Sequence, residues 1–198
     1  MPKPKKKPQT VHLHNDVLFE NITYQEKQVL DREFNNCTFR KCNLYGANFE
    51  DSVFFNCVFE QCDLSLLKVK HCSFINVQII NSKAMGVLWY DTTNPFSVKF
   101  VDSCIDYCSF YGKIAKKLQV INCQARDVDF TKSTLNESNF EGTDLLNATF
   151  YESDITQTNF VNARNYFINM YVNTVKQARF SLPEAINLLN NFDIIVEQ

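Results

Sequence analysis

"FNNCTFRKCNLYGANFEDSVFFNCVFEQCDL" spans Phe34 to Leu64 and returns a large apolar residue at every fifth position. An amphipathic helix repeats about every 3.6 residues and a half-buried strand about every 2. A period of five fits neither, so it belongs to a larger unit.

Stepping by five from Phe34 gives Phe39, Leu44, Phe49, Phe54, Phe59, Leu64, Val69, Phe74, Ile79, Ala84 and Trp89. The phase breaks through VLWYDTTNPFSVK and resumes one residue later. The centres are then Phe100, Ile105, Phe110, Ala115, Val120, Ala125, Phe130, Leu135, Phe140, Leu145, Phe150, Ile155 and Phe160. All 25 centres are apolar in a chain that is 45% hydrophobic, and they hold 12 of its 18 phenylalanines, which chance does not supply.

Two further positions carry the pattern. Two residues before each centre, 21 of 25 are Ala, Ser, Cys, Thr or Val; the exceptions are Arg32, Leu67, Lys113 and Leu118. Two residues after each centre stand all four glycines, seven Asn and four Asp, types that turn a backbone through positive φ or satisfy it locally. Each unit is therefore a short edge with one large and one small inward side chain, ended by a corner. Four edges make a square coil of 20 residues. Stacked coils lie roughly 4.8 Å apart, and about seven of them form a rod on the order of 30 Å long.

Units such as CNLYG, ANFED, CDLSL, SNFEG, TDLLN, SDITQ and TNFVN resemble the pentapeptide-repeat family, whose consensus is A(D/N)LXX. The resemblance covers residues 30–163 and implies an all-β solenoid, a right-handed quadrilateral β-helix. It departs from consensus in the cysteines of the first half and in Arg32 and Lys113, which mark a bulge, a shifted register or a coil mouth. A degenerate first coil runs through Phe19, Tyr24 and Val29.

The expected organisation is a basic flexible tail over 1–16, the β-helix over 17–163 with a loop near 88–98, and a C-terminal cap over 164–198. Ser181 and Glu184 have capping-box spacing, with Pro183 in the first turn, and predict a short capping helix over about 182–190. Leu182, Ile186, Leu189 and Phe192 are the candidate cap or dimer contacts.

Chemistry is sparse. His12 and His14 fall in or beside the tail, and His71 takes an outward corner, so no base has an orienting partner and no enzyme activity is expected. Seven of the eight cysteines occupy the small inward position, where Cys behaves as a small hydrophobe, and only Cys104 points outward. Consecutive small sites lie on adjacent sides, too splayed for tetrahedral closure, so no metal is expected and no cofactor. Without a secretory signal the thiols are expected to be reduced and the protein cytoplasmic. No apolar run is long enough to span a bilayer. Lys3, Lys5, Lys6 and Lys7 read as a short solubilising tail.

The leading expectation is a non-enzymatic scaffold that presents a rigid surface to a protein partner. The resemblance adds an alternative: protection of a type II topoisomerase (DNA gyrase or topoisomerase IV) by a DNA-mimicking dimer, joined through its C-terminal segment. Mimicry needs a negative face, and residues 125–160 carry Asp127, Asp129, Glu137, Glu141, Asp144, Glu152 and Asp154 against Arg126 and Lys132. Laid on four sides, these acids scatter, and the net charge of −2 is weak for imitating a polyphosphate. Candidate partner contacts are Trp89, Tyr90 and Pro95 in the interruption, with Asp129, Glu137, Glu141, Asp144, Glu152 and Asp154. Outward aromatics Tyr45, Phe55, Tyr111 and Tyr151 are further anchors. No direct nucleic-acid contact is expected.

Overall fold

The computed structural model describes residues 12–192 and 194. Short strands stack in parallel, one coil above the next. On the first side lie β1 (His12–Asn15), β3 (Arg32–Asn35), β5 (Val53–Phe55) and β7 (Ser73–Ile75); on the second lie β2 (Leu18–Glu20), β4 (Thr38–Arg40), β6 (Val58–Glu60), β8 (Val77–Ile80), β9 (Val98–Val101) and β10 (Gln119–Ile121). A last pair, β11 (Asn159–Phe160) and β12 (Arg179–Phe180), closes the C-terminal end. Single-residue ladders continue the pattern: Asn43, Asp63, Lys83, Cys104, Gln124 and Asp144 up the third side, and Leu88, Ser109, Asp129 and Thr149 up the fourth. Phe34, Phe54 and Phe74 stand in register on the first side.

The corners fall where the spacing put them. Among the described residues, 26 non-glycine residues and all four glycines take positive φ, between 48° and 67°. A left-handed conformation costs a non-glycine residue roughly 1–2 kcal/mol, and bonds between coils offset it. The Asn36 amide N–H, for instance, donates to the Phe55 carbonyl at 2.9 Å. Side chains add a ladder of their own, Asn76 donating to Asn56, Asn56 to Asn36 and Asn36 to Asp16 at 2.8, 3.1 and 3.1 Å. At Gly142 the choice of residue is also steric, because a Cβ there would run into the Asn122 side chain.

The large inward residues form one continuous core, and phenylalanine columns run along it. Phe34, Phe54 and Phe74 stack at 5.0 and 4.8 Å, and Phe110, Phe130 and Phe150 at 5.2 and 4.9 Å. The small inward residues bond as well as fill. Cys57 and Thr158 each donate to a carbonyl 23 positions back, those of Phe34 and Leu135, at 3.2 and 2.8 Å. Cys, Ser and Thr share this role, which is why they interchange at that site.

Several expectations are corrected. The solenoid has about eight turns rather than seven. Its ladder begins at His12, inside the stretch read as tail, and pairing runs on to Arg179–Phe180, past residue 163. These end coils were hard to read because His14, Asn165 and Met170 stand where a large apolar centre is due, although Phe19, Val29, Val175 and Phe180 keep the spacing and pack on the core. Tyr24, expected inside, is exposed at the rim. The capping helix is a 3-10 helix, Glu184–Asn191, and no side chain caps it. Ser181 instead accepts from the Asn162 amide at 2.8 Å. Trp89 is a core residue at 1% exposure, in a 3-10 turn, Trp89–Asp91. Arg32 lines the open mouth of the first coil, a cavity of about 120 Å³, with His14, Phe19, Ile22 and Phe34. Lys113 is buried just after the register shift. The Lys-rich stretch at residues 3–7 lies outside the described residues. Among the described residues, no helix is long and apolar enough to cross a membrane.

Candidate interaction surface

Side chains that point outward on a coil stack at 20-residue spacing, so a surface stripe is built from residues far apart in sequence. On the fourth side, the amides of Gly112 and Lys132 donate to the carbonyls of Thr131 and Tyr151, both at 2.8 Å, which sets Tyr111, Thr131 and Tyr151 one above the other. Tyr111 and Tyr151 are each 48% exposed. Leu88 and Tyr90 continue the stripe one coil earlier, where the Tyr90 amide donates to the Ser109 carbonyl at 3.3 Å. Lys132 Nζ stands 6.0 Å from the Tyr111 ring centre. The result is a flat aromatic side on rigid backbone. Tyr90 and Pro95 are exposed there or beside it, whereas Trp89 faces inward and is no contact.

The acids do not gather. Asp129, Asp144 and Asp154 sit in three different ladders. Asp144 is buried, and its carboxylate accepts from Arg126 at 2.7 Å and from Asn165 at 2.8 Å, with Arg164 3.7 Å away. Burial pushes the Asp144 carboxyl up, but the bonds from Asn165, Arg126 and the Leu146 amide outweigh it and hold it below its ordinary value. Asp154 behaves alike: burial raises it, and bonds from Thr156 and Asn136 bring it below its ordinary value. Asp129 accepts from the Thr131 amide at 2.9 Å, closing its own corner. Glu137 pairs with Lys117 at 3.5 Å and Glu152 with Lys132 at 3.6 Å. Glu141 is exposed and touches Asn159 at 3.5 Å. Three of these six acids, Asp144, Glu137 and Glu152, meet a cation from another coil, and the others accept from neutral donors.

At the C-terminal end, Leu182 is 76% exposed, and Ile186, Leu189 and Phe192 are exposed as well. Leu188, not these four, packs against the core. Tyr166, buried beneath the helix, has its hydroxyl pushed up to about 12 by burial, with the Glu184 charge adding to it. Tyr171, exposed and 5.8 Å from Phe192, joins the apolar end, and sequence reasoning missed it because the coil around it is irregular.

No catalytic constellation forms on the described surface. His71 does find a partner, Asp51 one coil below at 3.3 Å, and Glu50 is near; all three side chains face solvent, with Lys70 3.8 Å from Glu50. The signal for that pair was the 20-residue spacing. Every cysteine is a free thiol. Burial pushes Cys57, Cys62, Cys72, Cys108 and Cys123 up to about 12, so they are neither nucleophiles nor ready ligands.

Comparison with known proteins agrees with the geometry. The profile of the pentapeptide repeats family matches eight copies, over residues 33–66 and 126–162. No curated protein sequence is similar enough to match the chain. Among solved structures, QnrB1, a plasmid-mediated fluoroquinolone resistance protein, is similar in a trypsin-treated variant form, with a TM-score of 0.72 and 14% identity over 96% of this chain and 100% of that one. Full-length QnrB1 gives 0.68 and 15% over 92% and 100%. At such identity the likeness speaks to fold. Eight matched repeats and the square ladder they build show that the chain carries pentapeptide repeats over residues 33–66 and 126–162 and folds as pentapeptide-repeat proteins do.

Proposed function

We propose that the protein is a non-enzymatic scaffold, acting in the cytoplasm, whose rigid β-helical surface holds a protein partner. The observation that carries this reading is the exposed aromatic row of the fourth side, Tyr90, Tyr111 and Tyr151, on backbone bonded from coil to coil. Tyrosine supplies large contact area at small entropic cost and is enriched at interface hot spots. Pro95 stands on the neighbouring first side, and of the acids only Asp129 and Glu152 border the row, as rim rather than centre. Photo-crosslinking from positions 111 and 151, with position 78 on the second side as control, tests it. A discrete partner caught only from the fourth side supports the reading. Equal capture from both sides, or none, sinks it.

A second reading is supported by the likeness in shape to QnrB1 over nearly the whole chain: protection of DNA gyrase or topoisomerase IV from fluoroquinolones by a homodimer joined through Leu182, Ile186, Leu189 and Phe192. The scatter of the acids over different ladders weighs against a DNA-mimicking face. A supercoiling assay with gyrase and ciprofloxacin, alongside mass by light scattering, decides it. Dose-dependent rescue by a dimer would promote this reading over the first.

A further inference from the structure

Between Trp89 and Phe100 the coil takes one extra residue. Phe59 pairs with Ile79, 20 positions on, but Ile79 pairs with Phe100, 21 positions on. The excursion that absorbs it is Tyr90–Ser97. Its inner end is fixed by Trp89, whose ring lies 5.3 Å from Phe74 and 5.8 Å from Phe96. Thr92 folds back on this end, its hydroxyl donating to the Trp89 carbonyl at 2.6 Å.

That fold-back turns the carbonyls of Thr92 and Thr93 toward the next coil. In regular coils a Ser, Thr or Cys at the small inward site donates to a carbonyl of the coil before, as Cys72 does to Phe49 at 2.8 Å and Ser153 to Phe130 at 2.7 Å. The residue at this site after the excursion is Lys113. Its Nζ donates to the Thr92 carbonyl at 2.6 Å and to the Thr93 carbonyl at 3.0 Å, and it stands 4.9 Å from the Phe96 ring centre. The residue is 3% exposed, and these two hydrogen bonds go to carbonyls rather than to a carboxylate. Lysine thus performs the repeat's usual donor role with a longer arm.

We infer that Lys113 is a latch that fixes the Tyr90–Ser97 excursion from the following coil, so that Tyr90, Asn94 and Pro95 stand on the surface as a preformed element. The position of a surface knuckle is then set by a buried residue outside it. Holding a recognition element in one shape lowers the ordering cost of any contact it makes. The latch does not depend on which partner the protein has.

Trp89, the single tryptophan, reports on it directly. Lys113→Met keeps the aliphatic arm and removes the donor. With the β-helical circular dichroism retained, acrylamide quenching of Trp89 is expected to rise, and amide exchange at Thr93 and Ser97 to accelerate about 10-fold or more. Quenching and exchange both at wild-type values would overturn the latch. If the variant does not fold, the wild-type chain carries the test through amine acylation read by peptide mass mapping. Lys113 should label at least about 10-fold more slowly than exposed Lys116 and Lys117, as a buried, doubly bonded amine must. Labelling at their rate would overturn it equally.

Discussion

The Cys72 thiol donates to the Phe49 carbonyl at 2.8 Å, from one coil to the one before. The same geometry recurs at Cys57 and Cys62 toward Phe34 and Phe39. Burial also keeps these thiols protonated, with Cys72 pushed up to about 12. The eight cysteines should therefore resist a thiol reagent such as DTNB at pH 8 in the native protein. At most Cys104, the one that is not fully buried, should react, and all eight should react in denaturant. Fast native reaction of several thiols would show that the donor role is not what holds them.

Because the site asks for a small donor, Cys72→Ser should be tolerated. The hydroxyl reaches the same carbonyl, as Ser153 does. The expected change in unfolding free energy is within about 1 kcal/mol, measured by urea denaturation. A loss of several kcal/mol would mean that sulfur packing, not bonding, decides the site.

Corners separate conformation from bonding. Asn56 sits at φ 54°, donates to Asn36 and accepts from Asn76. Asn56→Gly keeps the conformation and loses both bonds; Asn56→Ala loses both. Alanine should destabilise by about 1 kcal/mol more than glycine, the left-handed penalty alone. Equal effects would assign the corner to the side-chain ladder instead.

How much of this was legible depends on distance along the chain. The period of five located the core, and every centre from Phe34 to Phe160 is buried. Trp89 shows how two readings of one residue are decided: its place as a centre held, and its place in a loop did not, because the phase shift begins after it. Ser181 and Glu184 had the spacing of a capping box, but Ser181 bonds Asn162, 19 residues away, and local spacing cannot show that. Asp144 read as a free surface acid because Arg126, Asn165 and Arg164 lie 18–21 residues from it and meet it only through the coil register.

Asp144 also fixes an acid response. Its carboxyl is held below its ordinary value in the fold, so its stabilisation is complete above the unfolded value near 3.8 and is lost as pH falls through the lower folded value. Asp144→Asn should destabilise by about 2 kcal/mol at pH 6, since it leaves Arg126 and Arg164 facing an amide. The gap between variant and wild type, followed by urea midpoints, should narrow below pH 3.8. A gap that stays constant with pH would show that the loss is one of packing.

Lys113 gives the opposite sign at the other end of the scale. Burial lowers its amine from 10.5 to about 8, so the folded chain releases this proton more readily than the unfolded chain does. Between those values the unfolded state binds more protons, and stability must rise with pH. Below about 8 the full burden of a buried charge is present; above 10.5 it is gone. Other titrations, including Tyr166 at about 12, are common to wild type and to Lys113→Met and cancel in their difference. Wild-type stability should therefore gain on the variant by up to about 1.4 kcal/mol per pH unit from pH 8 to 10. A neutral amine still donates to Thr92 and Thr93, so Trp89 quenching should stay low across that range. A wild-type chain that instead weakens relative to the variant as pH rises would mean that the carbonyls hold the charged form, and that the ammonium is stabilised where it lies.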